Sequence, residues 1–179
     1  MEFKAPDGNG GVFASFVRAG LNRIFEKKGI ESIVVSNIEN PLSHPLDPPL
    51  SFLSKTSDAV IQCIPKDEID HPMGMVEMDE NKVRVVEYTH LDSKKEYVYA
   101  YSGQIAFSMT FFLEAAKKDL PLHWVQKKIE GRWLWKGEKF IFDALEFAKS
   151  VKVFCAQRKT CYAPIKTTEN IPAVEKILR

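Results

Sequence analysis

The first feature of the sequence that could bind a ligand is a glycine-rich turn, Pro6-Asp-Gly-Asn-Gly-Gly11. It opens the first predicted helix, so several backbone N–H groups lie beside the positive end of a helix dipole, an arrangement that suits a phosphate or a nucleotide edge. It is not a Walker A loop, since no Gly-Lys-[Ser/Thr] follows, and it is not a GxGxxG motif. The alternative is a structural cap, in which the side-chain oxygen of Asp7 or Asn9 accepts a hydrogen bond from a free backbone N–H at the helix N-terminus. A nucleotide-binding α/β protein places a strand before such a turn, and five residues precede this one.

The histidines and cysteines show no pattern of a metal site or of a covalent catalyst. None of the histidines has metal-ligand spacing; they are His44, His71, His90 and His123. The three cysteines are an odd number without a CxxC pair; they are Cys63, Cys155 and Cys161. These features favour reduced thiols in a reducing compartment over a disulfide scaffold or a zinc site.

Composition and charge narrow the class of protein. The 25 Lys and Arg against 24 Asp and Glu give a net charge of +1 without a long basic run, which argues against a nucleic-acid-binding domain. The 45% hydrophobic and 27% charged residues are typical of a globular protein, and 179 residues predict one domain over 1–179. The start lacks the apolar region of a signal peptide, and the longest apolar stretch, Ile105–Leu113, is too short to span a membrane. We therefore expect a soluble, cytoplasmic protein.

The hydrophobic periodicity predicts an α/β fold with a mixed sheet. A helix is predicted from Gly11 to Lys28, because apolar residues recur at helical spacing and Gly29 follows as a C-terminal cap. Ser32–Ser36 is nearly all apolar, which is typical of a strand covered on both faces. Further strands are predicted at Ala59–Ile64, Met73–Met78, Lys82–Tyr88, Lys95–Tyr101, Leu122–Ile129 and Val151–Gln157, with a turn at Asp79–Asn81. Further helices are predicted at Leu50–Lys55, Thr110–Lys118, Lys139–Lys149 and Ala173–Leu178.

Several short motifs together resemble the eukaryotic-type UDP-sugar pyrophosphorylases, and most closely their UDP-N-acetylhexosamine pyrophosphorylase branch. The motifs occur in the same order as in that family, over nearly the whole chain. They are PDGNGG (6–11), IEN (38–40), HPMGMV (71–76), VVEY (85–88), SGQIAF (102–107), LHWVQKKI (122–129), EKFIFDALEFAKS (138–150) and YAPIK (162–166).

The resemblance implies a partial nucleotide-diphospho-sugar transferase domain, GT-A-like and Rossmann-like. It implies a uridylyltransferase that converts UTP and a sugar 1-phosphate, N-acetylglucosamine 1-phosphate in this branch, to UDP-sugar and pyrophosphate with Mg²⁺. Such a reaction depends on positioning and on charge neutralisation at the phosphates, without a covalent nucleophile. Glucose or galactose 1-phosphate remains an alternative substrate.

The resemblance also implies roles at the nucleotide and at the metal. Gly8 and Asn9 match the family's uridine-contacting turn. Lys166 matches a lysine that faces the phosphates, where an ammonium opposes developing negative charge. Glu39 falls where the family usually has an aspartate that is linked to magnesium. Because glutamate is one methylene longer, a direct metal role and an indirect one both remain open, with Asn40 as a neighbouring polar candidate.

A third group of residues matches the sugar-binding side of the family. Gly74 matches a glycine whose backbone approaches the sugar, and the alternative is a tight turn after Pro72. Glu87 at a strand end can accept hydrogen bonds from two sugar hydroxyls. Gln104 stands where the family typically has asparagine, a change that alters its reach. Phe140 and Phe142 match the pair that walls the N-acetyl region, whereas their spacing alone favours core residues.

The family's upstream Gly-rich loop and triphosphate-binding basic residue have no counterpart in the sequence. We therefore expect the later portion of a catalytic domain, inactive alone, with UTP, a sugar 1-phosphate and the missing N-terminal half of the enzyme as partners. A non-catalytic sugar-nucleotide-binding or regulatory module is the alternative. No nucleic-acid or membrane partner is expected. An open sheet edge invites pairing, so a homodimer is compatible with this prediction.

Overall fold

A mixed six-stranded sheet forms the centre of the computed structural model, which describes residues 6–44, 46–66, 73–79, 82–129 and 131–179. Its strands are β1 (Ser32–Ser36), β2 (Ala59–Pro65), β3 (Met75–Asp79), β4 (Lys82–Val86), β5 (Tyr99–Ser108) and β8 (Val151–Cys155). The order is β4-β3-β5-β2-β8, and β1 pairs with the same edge of β5 as β3 does. Only β2 and β8 run parallel among the described pairs, which confirms the predicted mixed sheet.

Six α-helices and five short 3-10 segments surround this sheet within the described residues. The helices are α1 (Val12–Arg18), α2 (Leu21–Lys27), α3 (Pro48–Leu53), α4 (Met109–Ala115), α5 (Arg158–Cys161) and α6 (Ile171–Leu178). The 3-10 segments are Asn9–Gly11, Ser54–Thr56, Tyr88–His90, Ile141–Phe147 and Thr168–Asn170. A separate hairpin consists of β6 (His123–Ile129) and β7 (Arg132–Glu138).

The alternation along β2 shows how the two faces of the sheet are covered. Ala59 and Ile61 join the main core with aromatic residues of α1 and α4, including Phe13 and Phe112. Val60, on the opposite face, packs against Leu50 of α3. Because successive side chains of a strand point to opposite faces, a strand buried on both faces reads as a continuous apolar run.

The first predicted helix is in fact two helices. The chain breaks at Ala19-Gly20, where Gly20 adopts a left-handed conformation with φ of 71°, and α2 starts at the next residue. Glycine adopts this conformation without the steric cost that other residues meet. The apolar spacing continues through the break, so periodicity alone did not reveal it.

Two other predicted segments differ from the structure, and one strand was not predicted. The strand predicted at Lys95–Tyr101 begins at Tyr99 and continues to Ser108 as the central strand β5. The helix predicted at Lys139–Lys149 is a 3-10 segment over Ile141–Phe147. Strand β7 was not predicted, although it pairs with β6 over its whole length. A turn was predicted at Asp79–Asn81, and its last two residues lie outside the described ranges. His71 and Pro72 of the HPMGMV motif also lie outside them.

Candidate functional site

A cavity of about 220 Å³ lies where the loops after β1 and β4 meet the middle of β5, the start of the 141–147 segment and the chain after α5. Seven of the nine predicted site residues line it: Asn9, Glu39, Gly74, Glu87, Phe140, Phe142 and Lys166. They come from six separate parts of the sequence. The fold therefore brings together the sugar, metal and phosphate candidates, which are up to 157 residues apart (166 − 9).

A second cavity of about 380 Å³ adjoins the first and contains Gly8. The two cavities share Asn9, Asn37, Tyr101 and Gly103 in their linings. The glycine-rich turn thus lies on one side of this common wall, and the sugar candidates lie on the other. A nucleotide joined to a sugar has the same two-part shape, a base and a hexose at opposite ends of the phosphates.

The glycine-rich turn packs closely against the chain at Lys139. Gly8 has φ of 89°, and a Cβ atom built there would lie 2.8 Å from the Lys139 backbone nitrogen. Gly10 donates its N–H to the Lys139 carbonyl at 2.8 Å, and the Asn9 side-chain oxygen accepts from the Ile141 N–H at 2.9 Å. Glycine at position 8 is thus required by protein packing, and Asn9 holds the segment that carries Phe140 and Phe142.

Three aromatic rings form a stack, and two of them, Phe140 and Phe142, line the cavity. The Phe140 ring lies between His123, with a centroid distance of 4.6 Å, and Phe142, with a centroid distance of 5.1 Å. The outer edge of the stack is held by Asp143, whose Oδ2 is 2.8 Å from His123 Nε2 and accepts from the Phe140 N–H at 3.3 Å. Burial raises the pKa of Asp143, and the hydrogen bond to His123 opposes that rise. The two phenylalanines are therefore a fixed, apolar wall.

Glu87 follows β4 and presents a partly desolvated carboxylate to the cavity. Burial raises its pKa, while His90, when protonated, and the Lys166 ammonium act in the opposite direction. Gly74 lies beside it: a Cβ at this glycine would approach a Val85 methyl to 2.8 Å and Glu87 Oε2 to 3.8 Å. The glycine keeps open the space next to the carboxylate, so a ligand hydroxyl can reach it.

Asn40 is buried and belongs to the framework of the site. Its Nδ2 donates to the Cys161 carbonyl at 2.8 Å, and its Oδ1 accepts from the Ala163 N–H at 2.9 Å. The Ile165 N–H donates to the Glu39 carbonyl at 2.7 Å. These bonds tie the loop after β1 to the 161–166 segment, so Glu39 and Lys166 line the same cavity.

Gln104 does not line the described cavity, although it was expected to contact the sugar. It lies on β5 and is 1% exposed, and its Nε2 donates to the His44 carbonyl at 2.7 Å. Its Oε1 is buried and has no hydrogen-bond partner among the described residues. The neighbouring Ser102 and Gly103 line the cavity instead. The extra methylene of glutamine extends the amide to the loop that contains His44.

Sequence reasoning missed several residues of the cavity wall. Burial raises the pKa of Tyr101, and its ring meets the Phe142 ring edge-on at a centroid distance of 6.1 Å. Gly103 has φ of 84°, and its carbonyl accepts from the Asn37 N–H at 3.1 Å. Tyr162 lies within the YAPIK motif and lines the cavity. The motifs that contain Gly103 and Tyr162 were the available signal, whereas nothing in the local sequence distinguishes Tyr101 from an ordinary core residue.

The residues at the cavity suit a magnesium ion that is shared with a ligand. Among the described residues, no three His, Cys, Asp or Glu side chains form a group that could hold a metal. Glu39 offers one carboxylate at the cavity, and Asn37 lies in the same lining. Magnesium commonly binds one or two carboxylates and takes its other ligands from water and substrate phosphates. This donor set therefore fits magnesium only together with phosphates.

The comparisons with known proteins agree with the motifs. A family model described as UTP--glucose-1-phosphate uridylyltransferase matches residues 2–176. A Caenorhabditis elegans protein named "Probable UDP-N-acetylglucosamine pyrophosphorylase" is 30% identical over 194 residues, which cover 93% of this chain and 39% of that protein. The Arabidopsis thaliana protein UDP-N-acetylglucosamine diphosphorylase 2 is 28% identical over 185 residues, covering 91% and 37%. The chain thus spans about two fifths of the length of these relatives.

A solved structure shows the same fold. The uridine diphosphate N-acetylglucosamine pyrophosphorylase of Trypanosoma brucei, determined in complex with an inhibitor, superposes with a TM-score of 0.80 at 24% identity, covering 96% of this chain and 41% of that one. The likeness confirms the expected fold class, a nucleotidyltransferase-like α/β fold. No helix in the described ranges is long and apolar enough to cross a membrane.

Proposed function

Since this chain belongs to the UTP--glucose-1-phosphate uridylyltransferase family, we propose that it is the sugar-binding portion of a uridylyltransferase. The reaction joins UTP and N-acetylglucosamine 1-phosphate to give UDP-N-acetylglucosamine and pyrophosphate. The observation that carries the proposal is the pair of adjoining cavities, with Gly8 at one and Glu87 at the other, separated by a shared wall.

The aromatic stack supports an N-acetylated sugar as the substrate. Phe140 and Phe142 present apolar ring surface to the cavity, which rewards a methyl group and leaves a hydroxyl without a partner. Glu87 is suited to hold two adjacent sugar hydroxyls, because an ionised carboxylate accepts hydrogen bonds on both oxygens.

Charge neutralisation at the phosphates is assigned to Lys166 and to magnesium. The Lys166 ammonium lies at the same cavity as Glu39, on a segment that Asn40 holds in place. Magnesium, when bound, would supply positive charge at the phosphates, and Glu39 would provide one oxygen ligand. The sugar phosphate oxygen attacks the α-phosphorus in line, and pyrophosphate leaves. We place the protein in the cytoplasm, in keeping with its unpaired thiols.

Binding of the product tests the proposal directly. We expect UDP-N-acetylglucosamine to bind the chain more tightly than UDP-glucose in isothermal titration calorimetry. Glu87→Gln should weaken binding by about tenfold or more, since a hydrogen bond to a charged group contributes roughly 1.5–3 kcal/mol. Glu96→Gln, which changes an exposed carboxylate outside both cavities, is the matched control. Binding that is equal in all three proteins contradicts the assignment of the sugar site.

Turnover distinguishes the enzyme portion from a complete enzyme. The chain spans about two fifths of its relatives, so we expect little or no pyrophosphate release from UTP and N-acetylglucosamine 1-phosphate by this chain alone. Robust release by the purified chain refutes the interpretation as a portion. The chain is instead a binding module if it binds UDP-sugar but releases no pyrophosphate when the N-terminal half of a family enzyme is added.

A further inference from the structure

All three tryptophans of the chain lie on one face of the β6–β7 hairpin. The register pairs Gln126 with Trp135 and Lys128 with Trp133, while Trp124 pairs with Gly137. Cross-strand partners share a face, and residues two apart along a strand share it as well. We call the set formed by Trp124, Gln126, Lys128, Trp133, Trp135 and Gly137 the tryptophan face.

The tryptophan face is open to solvent. Trp124, Trp133 and Trp135 are 63%, 67% and 65% exposed, and Gln126 and Lys128 are exposed as well. On the opposite face of the hairpin, Arg132 at the tip is exposed. The other described side chains of that face are half-buried, namely those of His123, Val125, Leu134, Lys136 and Glu138. Tryptophan is on average a highly buried residue, and grouped exposed apolar side chains mark interaction sites.

We propose that the tryptophan face binds the same face of a second copy of this chain, in an isologous dimer. The chemistry of the face favours its own copy as the partner. It carries a single charged side chain, Lys128, so facing copies bring no carboxylate into an apolar contact. Aromatic rings pair well with other aromatic rings, in offset or edge-on geometry. The chain's net charge of +1 produces little repulsion between copies.

The ends of the face complement each other under two-fold symmetry. Lys128 lies near the tip of the hairpin and Trp124 at its base. When two hairpins pack face to face and antiparallel, the tip of each lies over the base of the other. Each ammonium then meets the second copy's Trp124, a favourable cation–π pair. A two-fold axis forms this contact twice, as an isologous interface requires.

The available area is sufficient for a weak dimer. A tryptophan buries up to about 250 Å², so three side chains exposed by about two thirds supply roughly 500 Å² per copy. Two copies then bury roughly 1,000 Å², the lower bound for a specific protein interface. We therefore expect a dissociation constant in the micromolar range, about 1–100 μM. This inference does not depend on the proposed enzymatic function.

Sedimentation velocity and tryptophan fluorescence test the dimer together. From about 1 to about 100 μM protein, the mass should rise from 20.4 kDa towards twice that value. The emission maximum should shift to shorter wavelength over the same range. Because every tryptophan of the chain belongs to the face, the emission reports on this surface alone.

Two variants and a control identify the surface. Trp133→Ser combined with Trp135→Ser should remain monomeric at all these concentrations, with an unchanged far-UV circular dichroism spectrum. Lys128→Glu should raise the dissociation constant about tenfold or more, since both cation–π pairs are lost. Phe52→Ser removes an aromatic residue that is 71% exposed on α3, and should leave the dimer unchanged. A wild-type chain that stays at 20.4 kDa, or a double variant that still dimerises, overturns the proposal.

Discussion

The buried amide of Asn40 offers a sharp test of how the site is held together. Asn40→Ala removes the partner of the Cys161 carbonyl and the partner of the Ala163 N–H, two backbone groups that the side chain bonds at 2.8 and 2.9 Å. An unsatisfied buried polar group costs about 1–3 kcal/mol. We therefore expect a loss of roughly 3 kcal/mol in the free energy of unfolding, equivalent to a fall in Tm of about 6–12 °C for a chain of this size.

Urea denaturation followed by circular dichroism measures this loss. Asn22→Ala is the matched control, because it removes the same side chain from helix α2 and should change the free energy of unfolding by less than about 0.5 kcal/mol. Asn40→Asp keeps the acceptor for the Ala163 N–H but sets a second oxygen against the Cys161 carbonyl. It should destabilise the chain at neutral pH and recover part of the loss at acid pH, where protonation restores a donor.

The result that refutes this reasoning is an Asn40→Ala chain within about 1 kcal/mol of the wild type, the net value of a single ordinary hydrogen bond. The reasoning is also refuted if the stability difference between Asn40→Asp and the wild type does not depend on pH. Either result means that the 161–166 segment is held by other contacts, such as the bond from the Ile165 N–H to the Glu39 carbonyl.

Three further predictions follow from the same cavities. Glu87 has a raised pKa in the folded chain, so its protonation stabilises the fold and this stabilisation is lost as the pH rises. Glu87→Gln should therefore raise Tm at pH ~7 but not below pH ~4. Equal Tm differences between the variant and the wild type at both pH values contradict this prediction. Gly8→Ala should cost roughly 2–3 kcal/mol in urea denaturation. Gly20→Ala should cost about 1 kcal/mol, because φ is 71° there and, beyond the chain neighbours, no atom of the described residues lies within 4 Å of the added Cβ. His123→Ala removes the outer ring that stacks on Phe140 and should reduce the preference for UDP-N-acetylglucosamine over UDP-glucose by about two- to tenfold in calorimetry; an unchanged preference means that the ring does not position the wall.

Much of the architecture was predictable from local patterns. Strand β1 was predicted with its exact bounds, and β2, β6 and β8 to within two residues. For β1 and β2 the reason is that their apolar runs are short and bounded by turn residues. The family was identified from ordered motifs, and the match over residues 2–176 confirms it. The central strand β5 was mostly missed, since its interior is buried on both faces and does not alternate.

The sequence by itself determined the chemistry that is available: which residues carry a carboxylate, an ammonium or an apolar ring, and which glycines allow a left-handed backbone. Tertiary structure decided where that chemistry acts. Glu87 and Lys166 meet at one cavity, whereas Gln104 turns its amide to the His44 loop. It also decided that three tryptophans share one exposed face, because the register of β6 and β7 sets the side of the hairpin on which each residue lies. The physical reason is that such positions depend on contacts between residues far apart in the chain, which local pattern does not encode.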